Sequence, residues 1–330
     1  MKKMFYLCVA VCLMLCGSAC DGTKKFQNVV NVHDKIQVFD PEEVMCSKVA
    51  TLSVMGDYLI IRDSGDQGKL FHLFDKHNLQ YLCSTGDKGQ GPGELSGAWS
   101  TMYDEARHKF YVPDPNYLKI FSFDIDSLMK DPDYLPTVKQ EIKKDDGGNY
   151  PLDAIYVNDT LAYGNGIQFY EEKYRYIAMK WNMQTGQLWF NQHHQGKRTY
   201  GAYVAYSERH NLLVQSDGAY DELTFLDGDM NLIRYVKGPQ WSEERDALSH
   251  FGSVDFYNDY IIVEYDGTGW AEGHYARICY VFDIQGNYVK TLNLDYNINT
   301  ISVDEENDRL YITFIDEIQF GYLDLKGLLP

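Results

Sequence analysis

Positive charge is scarce in this sequence, where 30 lysines and arginines stand against 48 aspartates and glutamates for a formal charge of −18. A surface of that sign repels phosphate backbones and anionic lipid, which excludes nucleic acid as a partner. Cysteine is nearly absent beyond residue 20, where only Cys46, Cys83 and Cys279 occur. Thiols so widely spaced make neither a disulfide framework nor a zinc set. They are expected to be small buried hydrophobes, and no metal or other cofactor is expected. No apolar run approaches the ~20 residues of a membrane-crossing helix. Neither a Gly-x-Ser-x-Gly elbow nor a His-Glu-x-x-His pair occurs, which removes two common hydrolase classes. No Pro-rich, Ser-rich or low-complexity linker divides the chain, so one folded domain is expected.

What is present begins with an address. Lys2 and Lys3 precede the apolar stretch Met4–Leu15, which ends in the small residues Gly17, Ser18 and Ala19. That pattern predicts a signal peptide over residues 1–19. Gly-Ser-Ala-Cys resembles a bacterial lipobox, with Gly17 where leucine is usual; the other reading is ordinary secretion with cleavage elsewhere. Cleavage before Cys20 leaves an N-terminal cysteine able to carry lipid and lowers the charge from −18 to −20, because the leader holds two lysines and no acid. Residues 20–33 are then the lipidated cysteine and a tether, and residues 34–330 the domain. The expected location is the cell envelope, on the periplasmic face or outer surface of the outer membrane, with the membrane touched through lipid only.

Aromatic residues make up 15% of the chain, 27 of them tyrosines, which favours strands over helices. Internal similarity recurs at intervals of about 50 residues. Short alternating strands open the units at Ala50–Met55, Ala98–Tyr103, Asp153–Val157, Tyr203–Tyr206, Ser253–Tyr257 and Thr300–Val303. Each is followed by an acidic or Asn-bearing turn, from Gly56-Asp57 to Glu305-Glu306, and by a second strand such as Tyr58–Arg62 or Arg309–Ile312. Third strands often end in Asp, as in Leu70–Asp75 and Leu223–Asp227. Glycine-bearing hairpin turns follow at Gly186, Gly228 and Gly286, and a fourth strand such as Leu232–Val236 closes the unit. Four antiparallel strands per unit describe a propeller blade. The sixth unit reaches its third strand, Ile318–Leu323, without a fourth, and Lys35–Phe39 is available to supply it. An all-β, six-bladed β-propeller is therefore expected, its ring closed by an N-terminal strand that completes the last blade and hides a sheet edge.

The segment Gly86-Asp-Lys-Gly-Gln-Gly-Pro-Gly-Glu94 follows the first unit. Together with the lipobox-like leader and the six-fold repeat, it resembles the TolB-like six-bladed β-propeller lipoproteins. The resemblance spans the mature chain and departs at Leu95, where an aromatic residue is common. It implies a fold and an address and assigns no activity. A phosphate cradle would need a helix after the glycines; Pro-Gly and another strand follow instead, so the segment is expected to connect two blades.

Loops joining second to third strands, and one blade to the next, emerge on one face of a propeller, and function concentrates on such loops. Mapped onto the repeat, that face gathers Trp99, Tyr150, Tyr170, Tyr200, Tyr220, Trp241, Trp270 and Tyr275, with Arg198 and His274 as donors. The mixture suits a glycan, peptide or protein ligand, although any one of these residues can also serve to cap a blade. His193 and His194 are strand neighbours that point apart and do not share a metal. For catalysis, Asp153, Asp255 and Asp304 lie in or beside first strands and are the candidate acids of a channel hydrolase or lyase. A non-catalytic binding or scaffold lipoprotein is the favoured expectation, because contact residues are abundant and no acid–base constellation is recognisable.

Overall fold

A computed structural model describes residues 26–65, 68–131, 133–143, 148–193, 202–242, 248–269 and 275–329. Four antiparallel four-stranded sheets follow one another along the chain. Sheet I comprises Thr51–Met55, Tyr58–Arg62, Lys69–Asp75 and Tyr81–Asp87; sheet II comprises Met102–Asp104, Lys109–Asp114, Lys119–Asp124 and Thr137–Glu141. Sheet III is built from Tyr150–Asn158, Leu161–Tyr170, Lys173–Asn182 and Leu188–Phe190, and sheet IV from Ala202–Ser207, Leu212–Asp217, Glu222–Asp227 and Leu232–Lys237. Among the described residues no helix is long and apolar enough to cross a membrane.

Where six separate units are expected, the remaining strands form one continuous eight-stranded sheet, sheet V. The reason is local. The chain does not break between the last two expected units, because Tyr288–Asp304 is a single strand of 17 residues. Its first part pairs with Ala276–Asp283 and its second with Arg309–Phe314, the two overlapping at Ile298, which faces both Ala276 and Phe314; Asp295 between them has a φ of 58°. Leu248–Tyr257 and Tyr260–Gly269 precede these strands, and Phe320–Asp324 follows them.

The outer strand on Phe320–Asp324 comes from the start of the chain. Gln37–Phe39 lies antiparallel there, with Val38 opposite Gly321 and Phe39 opposite Phe320. The pairing is shorter than the expected Lys35–Phe39, since His33–Lys35 forms a 3-10 turn. The fold also begins earlier than residue 34. Phe26 packs with its ring 4.9 Å from Tyr280 and 4.8 Å from Tyr288, and Val29–Asn31 runs parallel to Thr291–Asn293.

Second strands read as unbroken apolar runs because each sheet is packed on both faces by its neighbours. Leu59, Ile60 and Ile61 are fully buried, as are Ile261, Ile262 and Val263. Between sheets I and II the filling is aromatic, with Phe110 and Phe123 stacked at 4.5 Å and Phe71 set edge-on to both. Of the three cysteines expected to be buried only Cys279 is; Cys46 and Cys83 are half-buried, one on a connection and one on an outer strand.

First strands surround one channel. Its wall takes residues from Thr51–Val54, Ser100, Thr101, Asp153, Ile155, Tyr203–Tyr206, Ser253–Asp255 and Asn299–Ile301. A first strand has no strand partner on its inner edge, so its amides need other acceptors. Side chains of the adjoining unit supply them. Leu52 N–H donates to Thr313 Oγ1 and Val54 N–H to Ser302 Oγ, both at 3.0 Å. Ala154 N–H donates to Ser100 Oγ at 3.2 Å and Val303 N–H to Asp255 Oδ2 at 2.8 Å.

The acidic turns noted in the repeat supply a second set of joints at the opposite end of the strands. Arg107 and Lys139 of sheet II both reach Asp159 of sheet III, and a further joint uses the turn between the third and fourth strands of sheet IV, where Asp229 receives Lys180 of sheet III. Lys76 of sheet I reaches Asp304 at 3.2 Å and Glu306 at 2.8 Å in sheet V. The Asp304 side chain is 1% exposed and Glu306 62%. Lys76→Met is therefore expected to destabilise the fold by about 3–5 kcal/mol, because it leaves a buried carboxylate without its cation. Glu306→Gln, which touches only the solvated end of the pair, is expected to leave the unfolding midpoint nearly unchanged. Urea unfolding of the two variants measures the contrast.

Candidate ligand-binding site

The connections on the loop face are fastened by one recurring contact. Ser96 N–H and Oγ–H both donate to Asp114, each at 2.7 Å. Asn297 does the same to Asp316 through its backbone N–H and its Nδ2, at 2.6 and 2.7 Å. Ser47 clasps Asp63 through its N–H at 2.7 Å and its hydroxyl. An aspartate at or just beyond the end of a second strand thus holds the incoming connection by two bonds, the strong bidentate form of a charge-assisted contact.

In sheet II this clasp positions a tryptophan. Trp99 Nε1–H donates to Ser96 Oγ at 2.9 Å, and Asn116 Nδ2 reaches the same oxygen at 3.1 Å. Trp99 and Tyr150 then line a cleft of about 380 Å³ with Pro115, Asn116, Leu118, Asn149 and Leu152. Burial raises the Tyr150 phenol above its ordinary pKa, with smaller contributions from Tyr176 and Tyr174 nearby.

Beside the cleft stands a projecting hairpin. Leu161–Tyr170 and Lys173–Asn182 have 10 residues each, where the corresponding strands of sheet IV have 6. The extra length ends in a turn at Glu171 and Glu172, which adopt φ of 48° and 61°. It carries Phe169, Tyr170 and Tyr174 into solvent at 45%, 43% and 57% exposure. Asn149 of the cleft accepts the Phe169 N–H at 2.7 Å, which ties the hairpin to the cleft wall. Arg175 lies 3.9 Å above the Tyr170 ring, and the Phe169 and Tyr174 rings are 5.2 Å apart.

Of the aromatic residues singled out in the sequence, the structure therefore brings Trp99 and Tyr150 into one cleft and sets Tyr170 on the adjoining hairpin. Tyr220 is half-buried and Tyr275 exposed, and Lys237 covers the Trp241 ring at 3.2 Å. Arg198, Tyr200, Trp270, His274 and Cys20 lie outside the described residues. Phe169 and Tyr174 are not among the residues that loop placement singles out. Their signal is the cluster of aromatics Phe169, Tyr170, Tyr174 and Tyr176 on both sides of Glu171-Glu172.

The channel, of about 420 Å³, holds a different set of groups. Arg62 is the one cation on its described wall, with a guanidinium nitrogen 3.9 Å from Asp153 Oδ1. Asn165 Oδ1 accepts the Asp153 N–H at 3.3 Å. Asp255 touches the channel along one edge, but burial of the rest lifts its pKa to about 6. Its two oxygens already accept the Phe256 and Val303 N–H groups. Asp304, expected near the axis, is instead enclosed with Lys76 and Asn307 at the far end of its strand. Behind the wall, Glu264 accepts the Ser253 N–H at 3.2 Å, and burial raises its pKa to about 8.

The glycine-rich segment cradles an anion belonging to the protein itself. Gly91 N–H donates to Glu94 Oε2 at 2.7 Å, and a side chain on Gly89 would overlap the same carboxylate. The Tyr117 hydroxyl seals the loop by donating to the Gly89 carbonyl.

No protein-family model and no curated protein matches the chain. Among solved structures it is similar to a member of the DUF4221 family from Bacteroides vulgatus, at 13% identity and a TM-score of 0.57, over 88% of this chain and 95% of that one. It is similar to a luciferin-regenerating enzyme at 10% identity and a TM-score of 0.56, over 87% and 93% of the two chains. It also resembles the WD40 repeats of RRP9 at 12% identity and a TM-score of 0.50, over 83% and 78%. The chain is an all-β protein with a β-propeller fold; likeness at these identities speaks to fold alone.

Glu264 gives the fold a pH dependence of definite sign. The unfolded carboxyl ionises near 4.5 and the folded one near 8, so the folded protein carries the extra proton in between. Stability is expected to fall as pH rises through that window, by up to about 1.4 kcal/mol per unit. Glu264→Gln should flatten the dependence, as read from urea midpoints between about pH 5 and 8.

Proposed function

We propose that this protein is a non-catalytic binding propeller of the cell envelope, held to the membrane by lipid on Cys20, which takes a glycan, peptide or protein partner on its loop face. The observation that carries the reading is the cleft of Trp99 and Tyr150 beside a hairpin that exposes Phe169, Tyr170 and Tyr174. Large flat side chains held rigid by the scaffold supply contact area at low entropic cost. A formal charge of −18 turns the surface away from polyanions. The projecting hairpin favours a peptide or protein over a lone sugar, because a convex aromatic edge needs a partner broad enough to cover it.

We read the architecture as six blades, the last two merged along Tyr288–Asp304, with Gln37–Phe39 completing the ring. The six wall segments around one channel, the left-handed Asp295 and the pairing of Val38 with Gly321 support that count. Membership of the TolB-like group rests on the leader and the Gly86–Glu94 segment. A hydrolase or lyase is the second reading, favoured by Asp153 and Asp255 sharing the channel and by the raised pKa of Asp255.

A peptide and oligosaccharide library tests the first reading by thermal shift, since a ligand at 100 times its dissociation constant adds about 2.7 kcal/mol of stability. Phe169→Ser with Tyr174→Ser should leave the unliganded stability within about 0.5 kcal/mol and abolish the shift. A shift that survives the double variant, or no shift together with turnover that Asp153→Asn removes, transfers the function to the channel. Incorporation of labelled palmitate, lost in Cys20→Ser, tests the anchor.

A further inference from the structure

The Asp63 clasp differs from its counterpart in sheet II in its surroundings. In sheet II the residue before the clasping serine is Leu95, and the third-strand residue opposite Val112 is Phe121; both are buried and apolar. The matching places in sheet I are Cys46, just before Ser47, and His72, opposite Ile61. At one of two equivalent positions a thiol and an imidazole thus replace leucine and phenylalanine around the same carboxylate. Cys46, Asp63 and His72 each offer a ligand atom, and these atoms all lie within 4.8 Å of one another.

We propose that Cys46, Asp63 and His72 form a binding site for zinc or a similar thiophilic divalent ion, with water in the fourth position. Thiolate, carboxylate and imidazole are the three side-chain ligands zinc accepts, at about 2.0–2.3 Å, so closing around an ion asks for only a small inward rotation of the side chains. The outer contacts are those of a metal-bound histidine. Ser84 Oγ lies 2.7 Å from His72 Nδ1 and is itself held at 2.8 Å by the Tyr81 hydroxyl, which leaves Nε2 as the ligating nitrogen. Burial keeps His72 below its ordinary pKa and therefore neutral, the form that binds a metal. The Cys46 thiol, pushed up to about 12 by burial and by Asp63, is protonated without an ion. It is thus no nucleophile, and metal uptake exchanges its proton for the ion: thiol plus divalent cation gives the thiolate complex and one released proton. The place explains the use. Cys46 lies on the connection between the strand Gln37–Phe39 and sheet I, and Gln319 of sheet V donates to the Ser47 carbonyl at 2.6 Å. An ion here pins the start of the chain to its first and last sheets at once.

The test uses the full mature protein, demetallated and then titrated with cobalt(II) and zinc. Expected are one equivalent of metal, a thiolate-to-cobalt charge-transfer band, release of one proton per ion at neutral pH, and a rise in melting temperature. Cys46→Ser should abolish the band, His72→Ala should weaken binding about tenfold or more, and Cys83→Ser should change neither. Should the variants misfold, the thiolate-to-cobalt band in the unaltered protein, kept in Cys83→Ser and bleached by one equivalent of zinc, reads the same site. Absence of the band in the unaltered protein, or a band that persists in folded Cys46→Ser, overturns the proposal.

Discussion

Everything in this architecture depends on satisfying the inner edge of each first strand. A sheet packed against two others has no spare strand to cover that edge, which faces the channel. The protein solves the problem with short side chains from the adjoining unit: Thr313 and Ser302 for Leu52 and Val54, Ser100 for Ala154, Asp255 for Val303. These bonds set the angle between neighbours, since a serine hydroxyl reaches an amide only when the two strands are close. They also commit the polar groups of the channel to the fold. Asp255 has the proton affinity of an acid–base catalyst, yet both its oxygens are engaged by backbone amides.

The repeat is legible in the sequence because each unit announces itself twice, by an alternating strand and by an acidic turn. By composition those turns are solvated punctuation. Their further task is to receive Arg107, Lys139 and Lys76 from an adjoining sheet, and no single unit reveals it. The fusion in sheet V is invisible for a related reason: Asn293 to Asn297 looks like a loop by composition, and only tertiary pairing on both sides keeps it extended through the left-handed Asp295. Lys35 and Ile36 carry strand-like alternation but fall to a turn whose amide at Ile36 is already bound by His33.

The site is half legible. Trp99 stands on a connection and Tyr150 at the first position of its strand, places that periodicity can assign to one face, whereas Phe169 and Tyr174 sit further inside strands, where an aromatic residue ordinarily signals core. What distinguishes them is strand length, since a hairpin longer than its neighbours must project beyond them into solvent. Cys46, Asp63 and His72 escape because spacing rules look for ligands close in sequence, and these three meet through a connection, a strand end and a strand interior. The glycine-rich segment is the converse case: its composition suggests an anion cradle, and the cradle exists, filled by Glu94.

The pairing between Gln37–Phe39 and Phe320–Asp324 bears on how the molecule is made. Tyr322 donates to Gln37 across 285 residues, and Val38 waits on Gly321 for its partner. During synthesis Gln37–Phe39 lacks this partner until Phe320–Asp324 has been made. Contacts this distant in sequence are the slowest to form. Until that pairing forms, the outer edge of Phe320–Asp324 stays open, the state in which a strand edge invites other strands or proteases.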